Sequence, residues 1–191
     1  LAHHQRISFV RQRINTPDGD FLDLDWTGPG LFADRLPDGK TAPKDSHLSQ
    51  TAARRWVLDQ DWAQLPQNHQ VQALTIFHGL EGSSKSHYAQ AIAQYFRARG
   101  WVVVVAHFRG CSGFPNRMAR SYYSGDSEEV KFILESVRQQ LPNAQWHAVG
   151  VSLGGNALLK YLGEQSTACA WLEAAAAVSA PADLVSCGRH L

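Results

Sequence analysis

The stretch QWHAVGVSLGGNALLKYL, residues 145–162, joins a short apolar run to a helical pattern through a glycine-rich turn. It predicts a strand over Gln145–Gly150 and a helix over Leu153–Glu164. The turn between them, residues 150–154, reads G-V-S-L-G. A G-x-S-x-G order between a strand and a helix is typical of a nucleophile elbow, in which a serine stands at the tip of a strained turn. Ser152 is therefore the candidate catalytic nucleophile.

The glycines of this turn have a steric reason. Side chains two residues before or after the serine would collide with the neighbouring strand and helix, and glycine at Gly150 and Gly154 removes both collisions. The turn also aims the first amides of the helix, Leu153 foremost, at the place where a tetrahedral oxyanion would form. The alternative is an ordinary glycine-rich turn without catalytic meaning.

A second junction points to the same chemistry. A predicted strand over Val71–Phe77 ends in HGLEG, residues 78–82, which is an H-G-x-x-G sequence on a strand-to-helix loop. Such a loop supplies the other oxyanion amide beside a nucleophile elbow. We predict that Gly79 is the site glycine of this loop and that Leu80 is the amide donor. The alternative is a plain glycine turn, with His78 bonded to the backbone.

Strands and helices alternate after Val71. The further predicted elements are a helix over Tyr88–Arg99, a strand over Trp101–Ala106, a helix over Glu128–Leu141 and a strand over Ala174–Ser179. This alternation is typical of an α/β domain with a mostly parallel, doubly wound sheet. We treat residues 1–191 as a single domain.

The chain before Val71 is less regular. Residues 7–26 predict an antiparallel hairpin around the turn signal Pro17-Asp18-Gly19, with one face, carrying Asp23 and Asp25, exposed to solvent. Residues 27–70 are rich in Pro, Gly, Asp, Lys and Gln and predict a surface excursion with one helix over Thr51–Leu65.

The composition excludes several classes of protein. The 191 residues are 44% hydrophobic and only 18% charged, against roughly 25% charged in average soluble domains, so a disordered chain is excluded. Eighteen Lys and Arg against 17 Asp and Glu leave a net charge of +1 without a basic stripe, so nucleic acid is not an expected partner. The longest apolar run, Trp101–Ala106, is far below the ~20 residues of a membrane-spanning helix, so no integral membrane segment is predicted.

The three cysteines, Cys111, Cys169 and Cys187, cannot pair completely, and no secretory signal precedes them. A cytoplasmic location is therefore predicted. Cys111 has no second ligand at metal-site spacing, so we interpret it as structural and predict neither a metal nor another cofactor.

The loop after the Val71–Phe77 strand also permits a nucleotide-binding hypothesis. Residues 79–86, GLEGSSKS, miss the phosphate-cradling pattern G-x-x-x-x-G-K-[ST] only at Ser84. The lost glycine disfavours wrapping around phosphates, and His107-Phe108 after the next strand offer no carboxylate for magnesium. This is the weaker alternative.

The strings HGLEGSSKSHY, AHFRGCSGFPNRMARSYYSGDSEEV, GVSLGGNALLKYL and AVSAP resemble, in this order, the YheT-like branch of the α/β-hydrolase fold, a family of predicted bacterial esterases and lipases with eukaryotic relatives. The resemblance covers roughly Thr16–Trp26 and Val71–Ala182. This sequence departs from the family pattern in two places. The Thr27–Gln70 segment is longer, and Tyr123 stands where the family pattern usually has a histidine.

The resemblance implies serine hydrolysis of a small-molecule or lipid-like carboxylic ester, with the nucleophile at Ser152 and the oxyanion loop at His78–Gly82. It also implies that the acid and histidine of the triad follow later strands, so we expect this chain to be the front portion of a longer enzyme, truncated after the sixth strand. An elbow can outlive its triad, so a non-catalytic binding module remains an alternative.

Four other residues are candidate local substitutes for the acid and histidine of the triad. Asp183 follows the last predicted strand and is interpreted as a turn or helix cap rather than an acid. His190 is next to the last residue, and His107 and His87 flank the carboxyl edge of the sheet as packed or solvated histidines. The run Asp126, Glu128 and Glu129 is interpreted as favourable charge at a helix start.

Overall fold

A computed structural model describes residues 6–66 and 71–189. Seven strands lie in these ranges: β1 (Phe9–Asn15), β2 (Phe21–Thr27), β3 (Ala53–Trp56), β4 (Gln72–Phe77), β5 (Val102–His107), β6 (Gln145–Val151) and β7 (Leu172–Val178). The helices are α1 (Asp59–Gln64), α2 (His87–Arg97), α3 (Ser127–Gln140), α4 (Leu153–Gln165) and α5 (Leu184–Gly188), with short 3₁₀ turns at Leu48–Gln50 and Ser166–Cys169.

The strands form one sheet in the order β3-β1-β2-β5-β4-β6-β7. β2 is antiparallel to β1 and to β5, and all other neighbours are parallel. The prediction of a mostly parallel, doubly wound sheet with an N-terminal antiparallel hairpin is confirmed. Phe77 at the end of β4 lies opposite Ala106 on β5 and Gly150 on β6, so the loops that follow these strands meet at one edge.

Helices cover both faces because the central strands are apolar on both sides. Val102 and Val104 of β5 pack with α3 and α4, whereas Val103 and Val105 pack with α2. Alternate side chains of a strand point to opposite faces, so a run of valines serves two helical layers at once. Within the described ranges, no helix combines the length and apolar character needed to cross a bilayer.

The predicted helix over Thr51–Leu65 is wrong in its first half. Ala53–Trp56 is a strand that pairs in parallel with β1, where Phe9 lies opposite Ala53, and only Asp59–Gln64 is helical. Arg55 is buried in this strand and pairs with Asp61 of α1 at 2.6 Å. Pairing with the edge of the sheet outweighs the local helical pattern, and it adds a seventh strand to the six predicted.

The expectation of a solvent-exposed hairpin face is also wrong. Every residue of β2 is buried, including Asp23 and Asp25. Leu22, Leu24 and Trp26 belong to the core on one face, and on the other face the Ser84 hydroxyl donates to Asp25. Arginines of β1 neutralise both carboxylates, with Arg11 2.7 Å from Asp25 and Arg13 2.8 Å from Asp23. Burial raises the pKa of Asp25, but Arg11 and His107 outweigh it and hold the pKa well below its usual range.

Candidate active site

Ser152 stands between the end of β6 and the start of α4. Its backbone angles are φ 52° and ψ −119°. Residues other than glycine seldom adopt this combination. Its N–H donates to the Val178 carbonyl of β7 at 2.8 Å, and its carbonyl accepts from the Asn156 N–H at 3.0 Å. These bonds hold the serine in a strained turn of the kind the sequence predicts.

The two elbow glycines are closely surrounded by backbone. A Cβ placed on Gly150 would lie 2.4 Å from the Gly154 carbonyl oxygen, and one on Gly154 would lie 2.5 Å from the carbonyl oxygens of Phe77 and His78. Such distances are impossible for real side chains, so glycine is required where β4, β6 and α4 converge.

The loop after β4 meets Ser152 directly. A Cβ on Gly79 would lie 3.2 Å from the Ser152 Cβ. The loop closes as a four-residue turn, in which the Gly82 N–H donates to the Gly79 carbonyl at 3.0 Å, and Glu81 has φ 52°. Residues 78–82, called the oxyanion loop below, thus abut the nucleophile candidate.

The backbone amides of Leu80 and Leu153, both close to Ser152 in the chain or across the turn, have no acceptor within residues 6–66 and 71–189. The Leu153 N–H belongs to the first turn of α4, where helical N–H groups lack partners inside the helix and carry partial positive charge. Free N–H groups of this kind can stabilise an oxyanion.

His78 orients the Leu80 amide through the backbone. Its Nδ1 lies 2.7 Å from the Gly79 carbonyl, and its Nε2 accepts from the Phe108 N–H at 3.2 Å. Burial, then repulsion from His107, lower the pKa of His78 to about 3, so the ring is neutral with its proton on Nδ1. Since the Gly79 carbonyl and the Leu80 N–H share one planar peptide group, fixing the first aims the second.

A cleft of about 780 Å³ adjoins the turn, and Leu80 and Leu153 are both part of its wall. Its remaining lining is mixed, with hydroxyl-bearing side chains at Ser121, Tyr122 and Ser124. The Leu80 side chain is 65% exposed. The Ser152 hydroxyl has no hydrogen-bond partner among the described residues.

His78, His107 and His87 do not complete a triad with Ser152. His78 is bonded as above, His107 is fully buried with its Nε2 2.8 Å from Asp25, and His87 is exposed at the start of α2. Asp183 accepts from the Val185 and Ser186 N–H groups at 3.0 Å and caps α5, as predicted for a helix cap. His190 lies outside the described residues.

The side chains that a phosphate site would use have other partners. The Ser84 hydroxyl donates to Asp25 at 2.6 Å and accepts from the Ala52 N–H at 3.0 Å. The Lys85 ammonium donates to the Ser49 carbonyl. These contacts turn both side chains toward the fold instead of a ligand.

Other candidates have structural contacts. The buried Asp126 accepts from the Glu129 N–H at 3.3 Å at the start of α3, and Glu129 forms an ion pair with Arg109. Cys111 is half-buried, and burial raises the pKa of its thiol. No group of three or more metal-ligating side chains occurs in residues 6–66 and 71–189.

Sequence reasoning missed two tyrosines that bind the oxyanion loop. The Gly79 N–H donates to the Tyr88 hydroxyl at 2.9 Å, and the Glu81 N–H donates to the Tyr122 hydroxyl at 2.9 Å. Tyr122 is 41 residues from Glu81, and no local pattern marks such a contact.

Comparison with known proteins identifies the family of the chain. A family model described as alpha/beta hydrolase fold matches residues 72–184. The chain is 36% identical over 180 residues to "Putative esterase YheT" of Escherichia coli (strain K12), covering 94% of this chain and 42% of that protein. It is 32% identical over 185 residues to "Phospholipase ABHD3" of Bos taurus, covering 97% of this chain and 38% of that protein. The chain spans about two fifths of the length of these relatives, and the resemblance to the YheT-like branch is confirmed.

Solved structures share the fold at lower identity. An a/b serine hydrolase without lid from Xanthomonas campestris superposes with a TM-score of 0.58 and 20% identity, covering 94% of this chain and 65% of that one. A Pyrococcus furiosus esterase gives a TM-score of 0.59 and 16% identity, covering 96% and 60%. Identities this low bear on the fold alone.

Proposed function

The chain belongs to the alpha/beta hydrolase fold family, and from this premise we propose that it carries the nucleophile of a serine hydrolase acting on carboxylic esters. The observation that carries the proposal is the turn at Ser152, where a serine with φ 52° precedes α4 and the Leu80 and Leu153 amides have no acceptor among the described residues. The esterase and phospholipase names of two relatives support ester hydrolysis.

In the proposed reaction the Ser152 hydroxyl oxygen attacks the ester carbonyl carbon while its proton passes to a histidine. The carbonyl oxygen becomes an oxyanion, which the Leu80 and Leu153 amides stabilise. The bond to the alcohol then breaks, and the alcohol leaves with the proton from the histidine. Water cleaves the acyl-enzyme by the same sequence and releases the acid. Because residues 79, 150 and 154 are glycines, the oxyanion loop, β6 and α4 can approach one another closely around Ser152.

The mechanism needs a base, and no described histidine is hydrogen-bonded to the Ser152 hydroxyl. His78 and His107 are buried and bonded inside the fold. Because the chain spans only 42% of the Escherichia coli relative, we propose that the acid and the histidine of the triad follow Leu191 in the full-length protein.

The relatives and the cleft support a substrate class. We propose a small-molecule or lipid-like ester. Two similar proteins, "Phospholipase ABHD3" of Bos taurus and "Monoacylglycerol lipase" of Saccharomyces cerevisiae, support the lipid-like form. The cleft of about 780 Å³ beside Leu80 and Leu153 is large enough for part of such a molecule.

The test is labelling of the full-length protein with a fluorophosphonate probe, together with hydrolysis of short-chain p-nitrophenyl esters. Wild type should be labelled, and Ser152→Ala should lose labelling and at least ~10³-fold of its hydrolysis rate. Ser166→Ala is a matched control, because Ser166 ends α4 with φ 48° and ψ −120°, almost the angles of Ser152. It should be labelled like wild type.

Labelling that persists in Ser152→Ala would contradict the assignment of the nucleophile. A folded full-length protein that neither reacts with the probe nor hydrolyses ester would favour the non-catalytic binding module. Thermal stabilisation by ATP would instead favour the phosphate-binding alternative.

A further inference from the structure

We propose that Tyr122 is a positioning residue that holds the oxyanion loop in its productive shape. The inference rests on the proposed function. Its central contact is the 2.9 Å hydrogen bond in which the Glu81 N–H donates to the Tyr122 hydroxyl. Tyr122 reaches the loop from the segment between β5 and α3, so the contact forms only in the folded domain.

The backbone at Glu81 shows why the loop needs a support. Glu81 is the third residue of the turn that the Gly82 N–H closes on the Gly79 carbonyl, and its φ is 52°. A positive φ at the third position is the type II arrangement, which favours glycine there, whereas a type I turn has φ near −90° at that position. Glutamate therefore occupies a conformation that its own side chain disfavours.

The Tyr122 hydroxyl selects this conformation. Type I and type II turns differ by a rotation of about 180° of the peptide group between the second and third residues, which here joins Leu80 to Glu81. The Glu81 N–H belongs to that peptide group and reaches Tyr122 only in the observed orientation. Rotation would break the bond and place the Leu80 carbonyl oxygen where the N–H now lies.

This rotation would disturb the proposed oxyanion donor. The Leu80 N–H directly precedes the rotating peptide group, and Leu80, Glu81 and Tyr122 all line the same cleft. Exchanging an N–H for a carbonyl oxygen beside the developing oxyanion replaces a positive with a negative partial charge. The loop would still bind substrate, so the loss should fall on the chemical step.

Contacts of its aromatic ring hold the Tyr122 side chain in place. It stacks on Phe108 with a centroid distance of 5.8 Å and an interplanar angle of 13°, and Phe108 contacts His78 at 5.1 Å. The hydroxyl also interacts with the Cys111 thiol. Because the ring contacts do not need the hydroxyl, Tyr122→Phe removes the acceptor and leaves the packing.

The test compares four variants of the full-length protein in ester hydrolysis: Tyr122→Phe, Tyr95→Phe, Glu81→Gly/Tyr122→Phe and Ser152→Ala. Tyr122→Phe should lower kcat by ~10-fold with KM within about twofold of wild type. Tyr95→Phe is the control, since Tyr95 is exposed on α2 and should match wild type.

The double variant separates positioning from a general structural role. Glycine favours the positive φ without help from Tyr122, so Glu81→Gly/Tyr122→Phe should recover at least about threefold in kcat over Tyr122→Phe. The proposal is overturned if Tyr122→Phe keeps kcat within about twofold of wild type, or if the double variant recovers nothing, while Ser152→Ala is inactive. Hydrolysis that survives Ser152→Ala would overturn the proposed function together with this inference.

Discussion

The environment of His78 decides its protonation state. The side chain has no exposed surface, and its Nδ1 and Nε2 are used by the Gly79 carbonyl and the Phe108 N–H. A second proton on Nε2 would place a hydrogen against the Phe108 N–H and add a charge in a buried site. The residue that aims the Leu80 amide is therefore also sensitive to acid.

We expect stability to fall in acid because of His78. Its pKa is lowered from 6.5 to about 3 in the fold, so the unfolded chain binds the proton first. Stability from the neutral form is complete above pH ~6.5 and is lost as pH falls toward ~3, at up to about 1.4 kcal/mol per pH unit. Between pH 7 and pH 5 this residue should lower the free energy of unfolding by about 2 kcal/mol.

Urea denaturation of the full-length protein at several pH values measures this effect. His78→Asn keeps a donor for the Gly79 carbonyl but has no imidazole to titrate, so its stability should depend less on pH between 7 and 5. His87→Asn, at an exposed position, should keep the wild-type dependence. An equal dependence in wild type and His78→Asn would show that other groups cause the acid loss.

At the level of elements, the junction of β6 and α4 determines how tightly the site is built. α4 begins one residue after Ser152, and its first turn passes within contact of the carbonyl groups that end β4. The strand, the helix and the oxyanion loop therefore share one crowded volume in which no side chain fits at 150 or 154.

We predict opposite effects of alanine at two glycines of this region. Gly150→Ala would place a Cβ 2.4 Å from the Gly154 carbonyl oxygen and should lower the free energy of unfolding by about 3 kcal/mol. Gly163→Ala lies on the exposed side of α4 with no atom within 4 Å of its Cβ and should raise it by about 0.5–1 kcal/mol. Chemical denaturation of the two variants is the measurement, and a Gly150→Ala protein as stable as wild type would contradict the crowded junction.

On the scale of the whole sheet, β7 forms an apolar edge within the described residues. β7 is the last strand in the sheet order, and its residues from Glu173 to Val178 are exposed although four of them are alanines. An exposed parallel edge strand presents unpaired N–H and carbonyl groups as well as apolar side chains. Such an edge promotes association with other chains.

We predict that a polypeptide of residues 1–191 self-associates through β7. Ala175→Lys/Ala177→Lys places charge on the edge and should shift the polypeptide toward the monomer. Ala91→Lys/Ala98→Lys adds equal charge at exposed positions of the α2 region and should not. Size-exclusion chromatography with light scattering reports the masses, and a monomeric 1–191 polypeptide would contradict the prediction.

The sequence by itself determined the elements whose cause is local. Neighbouring residues specify the valine run of β5, the G-V-S-L-G turn at 150–154 and the helix that follows. Apolar periodicity and glycine act over a few positions, so a short window of sequence contains these signals. The strained turn at Ser152 was predictable for the same reason. Its catalytic role stays a proposal, as do those of Leu80 and Leu153.

The tertiary structure decided what depends on distant partners. Ala53–Trp56 is a strand because β1 is beside it. Asp25 can be buried because Arg11 neutralises its charge and Ser84, 59 residues away in sequence, donates a hydrogen bond to it. Tyr122 binds the Glu81 amide across 41 residues of chain. Pairing, burial and charge neutralisation are properties of neighbours in space, so no window of sequence around these residues contains their cause.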